Sequence, residues 1–125
     1  MGYVRCYADD GGESHFEDVD VAFTAGTLRS GVPTVELSAK WAVAEMFFVR
    51  VALDDQPALA DIGFHTAPDR RFVIYLAGEA EQQASDGELR RFGPGDIVLF
   101  EDTTGRGHRS YNLTSQTLLM LTLRA

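Results

Sequence analysis

Residues 71–100 read RFVIYLAGEAEQQASDGELRRFGPGDIVLF, and this stretch contains the pattern that decides the fold. Two runs of β-branched and aromatic residues, Phe72–Leu76 and Ile97–Phe100, are typical of buried strands. Between them, the pair Asp86-Gly87 favours a tight hairpin turn that joins the strands on either side of it. The stretch therefore predicts successive short strands connected by turns, with no helix between them.

The rest of the chain continues this pattern of short strands. Trp41–Val51 is apolar at both odd and even positions, which predicts a strand buried on two sides. Thr117–Leu123 is a further apolar run, and His15–Thr24 alternates as an outer strand would. Only Asp55–Ile62 has room for a helical turn, and Pro57 limits it to one. Many short strands separated by turn residues indicate an all-β sandwich or small barrel.

Composition and charge narrow the class of protein. The chain has 125 residues and a mass of 13.7 kDa, so we expect a single domain over residues 1–125. Its one cysteine, Cys6, excludes an internal disulfide. The net charge of −8 would repel a nucleic acid, and no apolar run approaches the ~20 residues of a membrane span. The first residues lack the apolar core of a signal peptide, so we expect a cytoplasmic protein.

Two histidines stand where predicted strands meet loops, and they are the first candidates for chemistry. His65 ends a strand after Gly63-Phe64, and His108 follows the glycine-rich segment 105–107. A small barrel would bring them together at its mouth, which is a usual ligand site. Neutral imidazole binds divalent metals and also moves protons near neutral pH. The alternative is that they are two unrelated, half-exposed loop residues.

The segment 63–79, GFHTAPDRRFVIYLAGE, resembles the first motif of the cupin family of small double-sheet barrels. His65 matches the first histidine of that motif, and Gly78 matches its closing glycine. Two positions depart from the family pattern. Ala67 stands where the second histidine would be, and Arg71 stands where the glutamate would be.

The segment 95–112, GDIVLFEDTTGRGHRSYN, is similar to the second cupin motif. Gly105, His108 and Asn112 keep its final spacing, although the stretch before them is longer and Thr103 replaces the proline. The resemblance implies an all-β, single-domain cupin, which is a double-stranded β-helix or jelly-roll barrel. It implies a barrel over residues 41–125, with the N-terminal strands of residues 1–40 contacting the partner in a homodimer. Apolar edge strands that need covering favour the same homodimer.

The resemblance also implies a divalent metal, since cupin sites resemble three histidines and one glutamate. Here only His65 and His108 remain, and the guanidinium of Arg71 would repel a cation. Zinc, iron, nickel, copper or manganese would need further ligands. An oxygen from Glu101 or Asp102 on the following loop would supply one, and His15 from the N-terminal strand another.

A metal-free site uses Arg71 differently. Strand periodicity places Arg71, Val73 and Tyr75 on one face, which the resemblance turns into the barrel beside the two histidines. Arginine grips an anion through paired hydrogen bonds and histidine moves a proton, while Phe48 and Phe100 would form apolar walls. The alternative for Arg71 is a structural ion pair, for example with Asp69 or Glu79.

The function that follows is acid/base chemistry on a small organic acid or aromatic compound inside the barrel, catalysed by an isomerase, lyase or cyclase. In this interpretation His65, His108 and Arg71 are catalytic, and Tyr75 orients the substrate. Two alternatives stay open: a small-molecule binding or sensing protein without turnover, and a metal-dependent dioxygenase. Glu45, inside an apolar run, either pairs with an arginine or lines the pocket.

Overall fold

The computed structural model describes residues 1–125 and is built almost entirely of strands. In chain order these are β1 Gly2–Ala8, β2 Ser14–Asp20, β3 Thr24–Gly26, β4 Val35–Leu37, β5 Val43–Val51, β6 Asp61–His65, β7 Arg71–Ala77, β8 Ala80–Ala84, β9 Leu89–Phe92, β10 Ile97–Phe100, β11 His108–Asn112 and β12 Gln116–Leu123. The single helical element is the 3₁₀ turn Pro57–Ala60, where the sequence predicts at most one turn.

Two sheets form the body of the molecule. The larger has six strands in the order β2-β1-β10-β7-β12-β5, and the smaller has four in the order β6-β11-β8-β9. β1 and β10 run parallel, and every other neighbouring pair is antiparallel. A separate two-stranded hairpin joins β3 to β4. Because both large sheets bury one face against the other, they enclose one apolar interior.

That interior is a continuous cluster to which both sheets contribute. Val73 and Tyr75 of β7 and Leu118 of β12 meet Ala80 and Phe92 of the smaller sheet. The aromatic rings of Tyr75 and Phe92 stack across the gap with centroids 5.6 Å apart. The predicted fold class is therefore confirmed: the chain is an all-β, double-sheet barrel of the jelly-roll type.

The turn predictions and the outer strand are also confirmed. The segment Ser85–Glu88 joins β8 to β9 in an antiparallel hairpin, with Gly87 at a φ of 100° that suits glycine. β2 lies at the edge of the six-stranded sheet, as its alternating pattern predicts.

Two details of the sequence prediction are wrong. β5 is an edge strand and not one buried on two sides: its inward Val49 and Val51 pack on the core, while Met46 and Phe48 are exposed. The barrel also begins well before residue 41. β1 pairs with β10 inside the larger sheet, so the N-terminal strands are part of the barrel wall. The structure contains no helix with the length and apolarity needed to cross a bilayer.

Candidate functional site

A cavity of about 280 Å³ opens between the two sheets. Its wall contains Arg71, Val73 and Tyr75, so the alternation predicted for β7 is what the structure has. Apolar side chains form more than half of the wall, namely Val51, Leu59, Ile62, Ala67, Pro68, Val73, Phe100, Leu118 and Met120. The other eight residues of the wall carry polar side-chain atoms: His65, Arg71, Tyr75, Gln82, His108, Ser110, Asn112 and Gln116.

The structure brings His65 and His108 together in this cavity. They are register partners on the antiparallel strands β6 and β11, and their ring centroids lie 4.5 Å apart. His108 is buried, whereas His65 is exposed at the cavity mouth. The separation of 43 positions in sequence is thus closed by one cross-strand pairing. Their chemical roles remain predictions.

His108 is held in place on two sides. Phe100 stacks on its ring at 4.3 Å between centroids, and Asp102 Oδ2 accepts a hydrogen bond from its Nδ1 at 2.6 Å. Asp102 is fully buried, and its second oxygen, Oδ1, has no hydrogen-bond partner. A carboxylate can only accept a hydrogen bond, so Nδ1 carries the proton. In the neutral ring, Nε2 is then left with its lone pair.

His65 has the same tautomer for a different reason. Its Nδ1 donates to the carbonyl oxygen of Gly63 at 2.7 Å, since a carbonyl is only an acceptor. When neutral, its Nε2 therefore also carries a lone pair. The two imidazoles cannot hydrogen-bond to each other through these atoms, so they are free to accept a proton from a third group.

The loop before His108 is fixed by the N-terminal hairpin. Ser14 Oγ donates to the carbonyl of Gly107 at 2.7 Å, and Arg106 N donates to the carbonyl of Gly12 at 2.9 Å. Gly107 has a φ of 75°, and a Cβ on it would lie 2.0 Å from the carbonyl oxygen of His65. A glycine is required there for the two histidine-bearing segments to approach each other.

Arg71 lines the cavity but is already paired. Its Nε and Nη2 donate to the two carboxylate oxygens of Asp69 at 2.7 and 3.0 Å, and Nη1 lies 3.2 Å from Met120 Sδ. A structural ion pair with Asp69 is the alternative that the sequence leaves open to an anion-binding role for Arg71, and the structure contains it. Because one carboxylate occupies its paired donors, Arg71 is a weaker anion-binding group than the sequence interpretation assumed.

Tyr75 lies at the buried end of a chain of hydrogen bonds. Ser110 Oγ donates to Gln82 Oε1 at 2.7 Å, and Gln82 Nε2 donates to the Tyr75 hydroxyl oxygen at 3.2 Å. All three residues line the cavity. Burial raises the pKa of Tyr75 to about 12, so its hydroxyl keeps its proton at neutral pH.

Of the two predicted apolar walls, the structure provides one. Phe100 lines the cavity and supports His108. Phe48 does not line it: the side chain is two-thirds exposed on the face of β5 opposite Val49 and Val51, which pack on the core. The prediction that Phe48 contacts a ligand in the cavity is therefore wrong.

The cavity itself fits a divalent metal ion poorly. It presents two imidazoles and no carboxylate, and Ala67 and Arg71 occupy the positions where the resemblance would place further ligands. A buried group beside it fits better: Cys6, Asp102 and His108 each have a ligand atom within 4.8 Å of the others. These three residues could hold a metal ion, with thiolate and carboxylate offsetting its charge. Without an ion, burial raises the pKa of the Cys6 thiol, which keeps it protonated.

The other sequence candidates lie elsewhere. Glu101 forms ion pairs with Arg5 and Arg70 and is not a ligand in the cavity. Glu45 is exposed on β5, forms no ion pair and lines no cavity, so neither interpretation considered for it holds.

His15 lies outside the cavity and links two hairpins. Its Nε2 lies 2.7 Å from Asp9 Oδ2 and its Nδ1 lies 2.8 Å from Asp86 Oδ2. Both nitrogens face carboxylates, so both can donate at once only when the ring is an imidazolium. The hydrogen bonds to Asp9 and Asp86 raise the pKa of His15, and the bond from His15 lowers the pKa of Asp9.

This arrangement predicts a pH-dependent stability. The raised pKa of His15 means that its contribution is complete below about pH 6.5 and is lost as the pH rises through the folded-state pKa. We expect His15→Gln to lower the thermal midpoint at about pH 6 and to have little effect at about pH 9. Asp9→Asn should reproduce the loss and Asp10→Asn, at the exposed neighbour, should not. A pH-independent effect of His15→Gln would contradict the ion-pair account.

Sequence reasoning considered Asp102 only as a metal ligand, and it missed Gln82 and Ser110 altogether. The inward parity of β8 and β11 was a usable signal, because glutamine and serine at interior positions of a barrel need partners. The contact between Asp102 and His108, six positions apart across an irregular loop, has no periodic signal.

Comparison with known proteins finds no matching family model and no matching curated protein. Several solved structures are similar to parts of the chain, among them the following three. A protein from Neisseria meningitidis is 14% identical, over 68% of this chain and 84% of its own, with a TM-score of 0.49. A conserved protein of unknown function from Streptococcus pyogenes is 29% identical, over 52% of this chain and 55% of its own, with a TM-score of 0.41. A protein described as an ethanolamine utilization protein Q, from Salmonella typhimurium, is 18% identical, over 83% of this chain and 95% of its own, with a TM-score of 0.41.

Proposed function

We propose that the protein is an enzyme that performs acid/base chemistry on a small organic acid or aromatic compound bound in the barrel cavity. The observation that carries the proposal is the buried hydrogen bond between Asp102 and His108. It assigns the Nδ1 proton and leaves Nε2 as the basic atom of a side chain that lines the cavity.

The surroundings of His108 suit a general base. When Nε2 takes a proton from the substrate, the ring becomes positively charged, and the carboxylate of Asp102 at 2.6 Å stabilises that charge. The apolar wall lowers the local dielectric and strengthens the attraction. His65, with its own Nε2 lone pair 4.5 Å away between ring centroids, is placed to exchange the proton. Proton abstraction of this kind is the step that isomerases, lyases and cyclases share.

The proposal is tested first by the protonation state of His108. We expect ¹⁵N NMR of the full chain, recorded at a pH where the ring of His108 is neutral, to show the proton on Nδ1 and a lone pair on Nε2. The exchange of the methyl protons of pyruvate with deuterated solvent, followed by proton NMR, is the matching activity test. We expect the rate to fall by about 10²-fold or more in His108→Gln.

His15→Gln is the control for the loss of a histidine, because that side chain lies outside the cavity. A neutral His108 ring that carries its proton on Nε2 in the wild type would overturn the assignment of His108 as base. Binding of pyruvate without exchange would favour the alternative of a non-catalytic binding protein.

We also propose a homodimer formed through the outer face of the six-stranded sheet. Met46 and Phe48 on β5 and Leu76 on β7 are exposed there, and Trp41 beside them is nearly half exposed. The register of β5 and β12 places Met46 beside Leu121, which lies in the apolar cluster of that face. An exposed apolar face next to a nine-residue edge strand is the kind of surface that a partner covers.

Light scattering with size-exclusion chromatography tests this dimer. We expect the wild type to have twice the mass of the chain and Phe48→Asp to have the monomer mass, because the new charge would be buried without a partner. Leu89→Asp, at an exposed apolar residue on the smaller sheet, should leave the mass unchanged. A monomeric wild type would disprove the dimer.

A further inference from the structure

The cavity contains a second set of polar groups, which offer hydrogen-bond donors where the histidines offer lone pairs. Tyr75 and Gln82 come from different sheets and meet in the interior, where both are buried. The ring of Tyr75 is fixed by stacking on Phe92 at an interplanar angle of 11°. Their polar atoms are therefore held in position before any ligand arrives, which is a requirement for catalytic hydrogen-bond donors.

The direction of the hydrogen bonds determines which donors of Tyr75 and Gln82 remain free for a ligand. Ser110 donates to Gln82, and Gln82 donates to the hydroxyl oxygen of Tyr75. The hydroxyl oxygen of Tyr75 thus acts as an acceptor, and no protein atom accepts its own hydrogen. The second hydrogen on Gln82 Nε2 also has no protein acceptor. Two unused donors remain on groups that line the cavity.

We propose that Tyr75 and Gln82 form an oxygen-binding subsite that stabilises the negative charge developing on the carbonyl oxygen of an enolisable carbonyl compound. This inference rests on the proposed function, since it supplies the partner of the base His108. It narrows the substrate class from small organic acids and aromatics to molecules with an acidic C–H next to a carbonyl group.

The step is a proton transfer without an oxidant or a cofactor. The C–H bond next to the carbonyl breaks, and its proton moves to Nε2 of His108. The electron pair of that bond forms the C=C bond of an enolate, and the carbonyl π pair moves to the oxygen. Tyr75 and Gln82 donate hydrogen bonds to this oxygen, which are worth more to a charged acceptor than to the ground-state carbonyl. Return of the proton to the same carbon restores the carbonyl compound; where a further C=C bond is conjugated with the enolate, its return to the far carbon of that system, with re-formation of the C=O bond, completes an isomerisation.

The high pKa of Tyr75 supports this role. A donor must keep its proton while the oxyanion forms beside it, and burial keeps this hydroxyl neutral over the physiological pH range. The position of Ser110 orients Gln82 so that its carbonyl oxygen faces away from Tyr75 and its amide faces toward it.

A stable mimic of the enolate tests the subsite directly. Para-nitrophenolate has a delocalised oxyanion and absorbs visible light, so its binding to the full chain is measured by absorbance titration. We expect the wild type to bind it and Tyr75→Phe to weaken binding by about 10-fold to 100-fold, the value of a hydrogen bond to a charged acceptor. We expect a similar or larger loss in Gln82→Glu. The new carboxylate would accept the hydrogen bond of the Tyr75 hydroxyl, so that this donor is no longer free, and it would repel the anion.

Matched controls exist on the outer face of the smaller sheet, on β8 and β11. Tyr111→Phe removes a hydroxyl that pairs with Gln83 outside the cavity, and Gln83→Glu adds the same charge one position along β8. Both should bind as the wild type does. Equal weakening by Tyr75→Phe and Tyr111→Phe, or no binding to the wild type, would overturn the subsite.

The phenolate titration and the pyruvate exchange assay distinguish a failure of this inference from a failure of the proposed function. If Tyr75→Phe leaves phenolate binding unchanged while pyruvate exchange still depends on His108, the subsite is wrong and the base stands. If phenolate binding depends on Tyr75 and Gln82 but no exchange occurs, the subsite stands and the base is wrong. Far-UV circular dichroism and thermal melting confirm that each variant is folded.

Discussion

Replacing Asp102 by asparagine is expected to slow proton transfer by about 10²-fold or more while leaving the protein folded. Whichever way the new amide turns, the negative charge beside Nδ1 of His108 is lost. The imidazolium formed during the reaction then has no counter-charge in the apolar interior, and its formation becomes unfavourable. The pyruvate exchange assay, measured over a range of pH, reports this change.

The same substitution should not destabilise the fold, and this separates a functional role from a structural one. Asp102 buries a carboxylate oxygen that has no hydrogen-bond partner, which is a cost in the folded state. We expect the free energy of unfolding to stay unchanged or to rise by up to about 1 kcal/mol. Glu101→Gln, at the adjacent acid that pairs with Arg5 and Arg70 outside the cavity, should leave exchange intact. A variant that loses activity and stability together would show that Asp102 is mainly structural.

Replacing Gly107 by alanine is expected to have the largest effect on stability. The backbone at Gly107 has a φ of 75°, which costs an L-residue about 1–2 kcal/mol. The added methyl would in addition lie 2.0 Å from the carbonyl oxygen of His65, so two strands of the smaller sheet must separate. We expect a total loss of at least about 3 kcal/mol, measured by urea unfolding.

Gly95 provides a control that isolates the steric contact. Its φ of 91° is equally unfavourable for alanine, but a Cβ at that position would meet nothing within 4 Å. Gly95→Ala should therefore lower the free energy of unfolding only by the cost of the left-handed backbone conformation, about 1–2 kcal/mol. If both variants lost the same free energy, the close approach of Gly107 to His65 would not be what requires the glycine.

Local sequence predicted the strands well because strand signals are themselves local. The runs Phe72–Leu76 and Ile97–Phe100 lie within β7 and β10, and Asp86-Gly87 lies in a hairpin turn. The inward face of β7 followed from the same rule of alternation, which needs no knowledge of the partner strands. β5 shows the limit of the rule. Its apolar outer face matches that of a buried strand, and only the sheet order shows that β5 is an edge.

At the candidate site, too, some features were predictable from the sequence and others were not. Sequence alone indicated an all-β barrel and picked out His65, His108, Arg71 and Tyr75, because residue type and spacing are visible in one dimension. The tertiary structure decided which atoms of those residues are free.

Three contacts at the site depend on how the folded backbone orients side chains that are only two to seven positions apart in sequence. Asp69 occupies the paired donors of Arg71, Asp102 assigns the tautomer of His108, and Gln82 turns the hydroxyl of Tyr75 into a free donor. Hydrogen bonds of this kind depend on distance and direction in the folded chain, and no periodic pattern in the sequence encodes them.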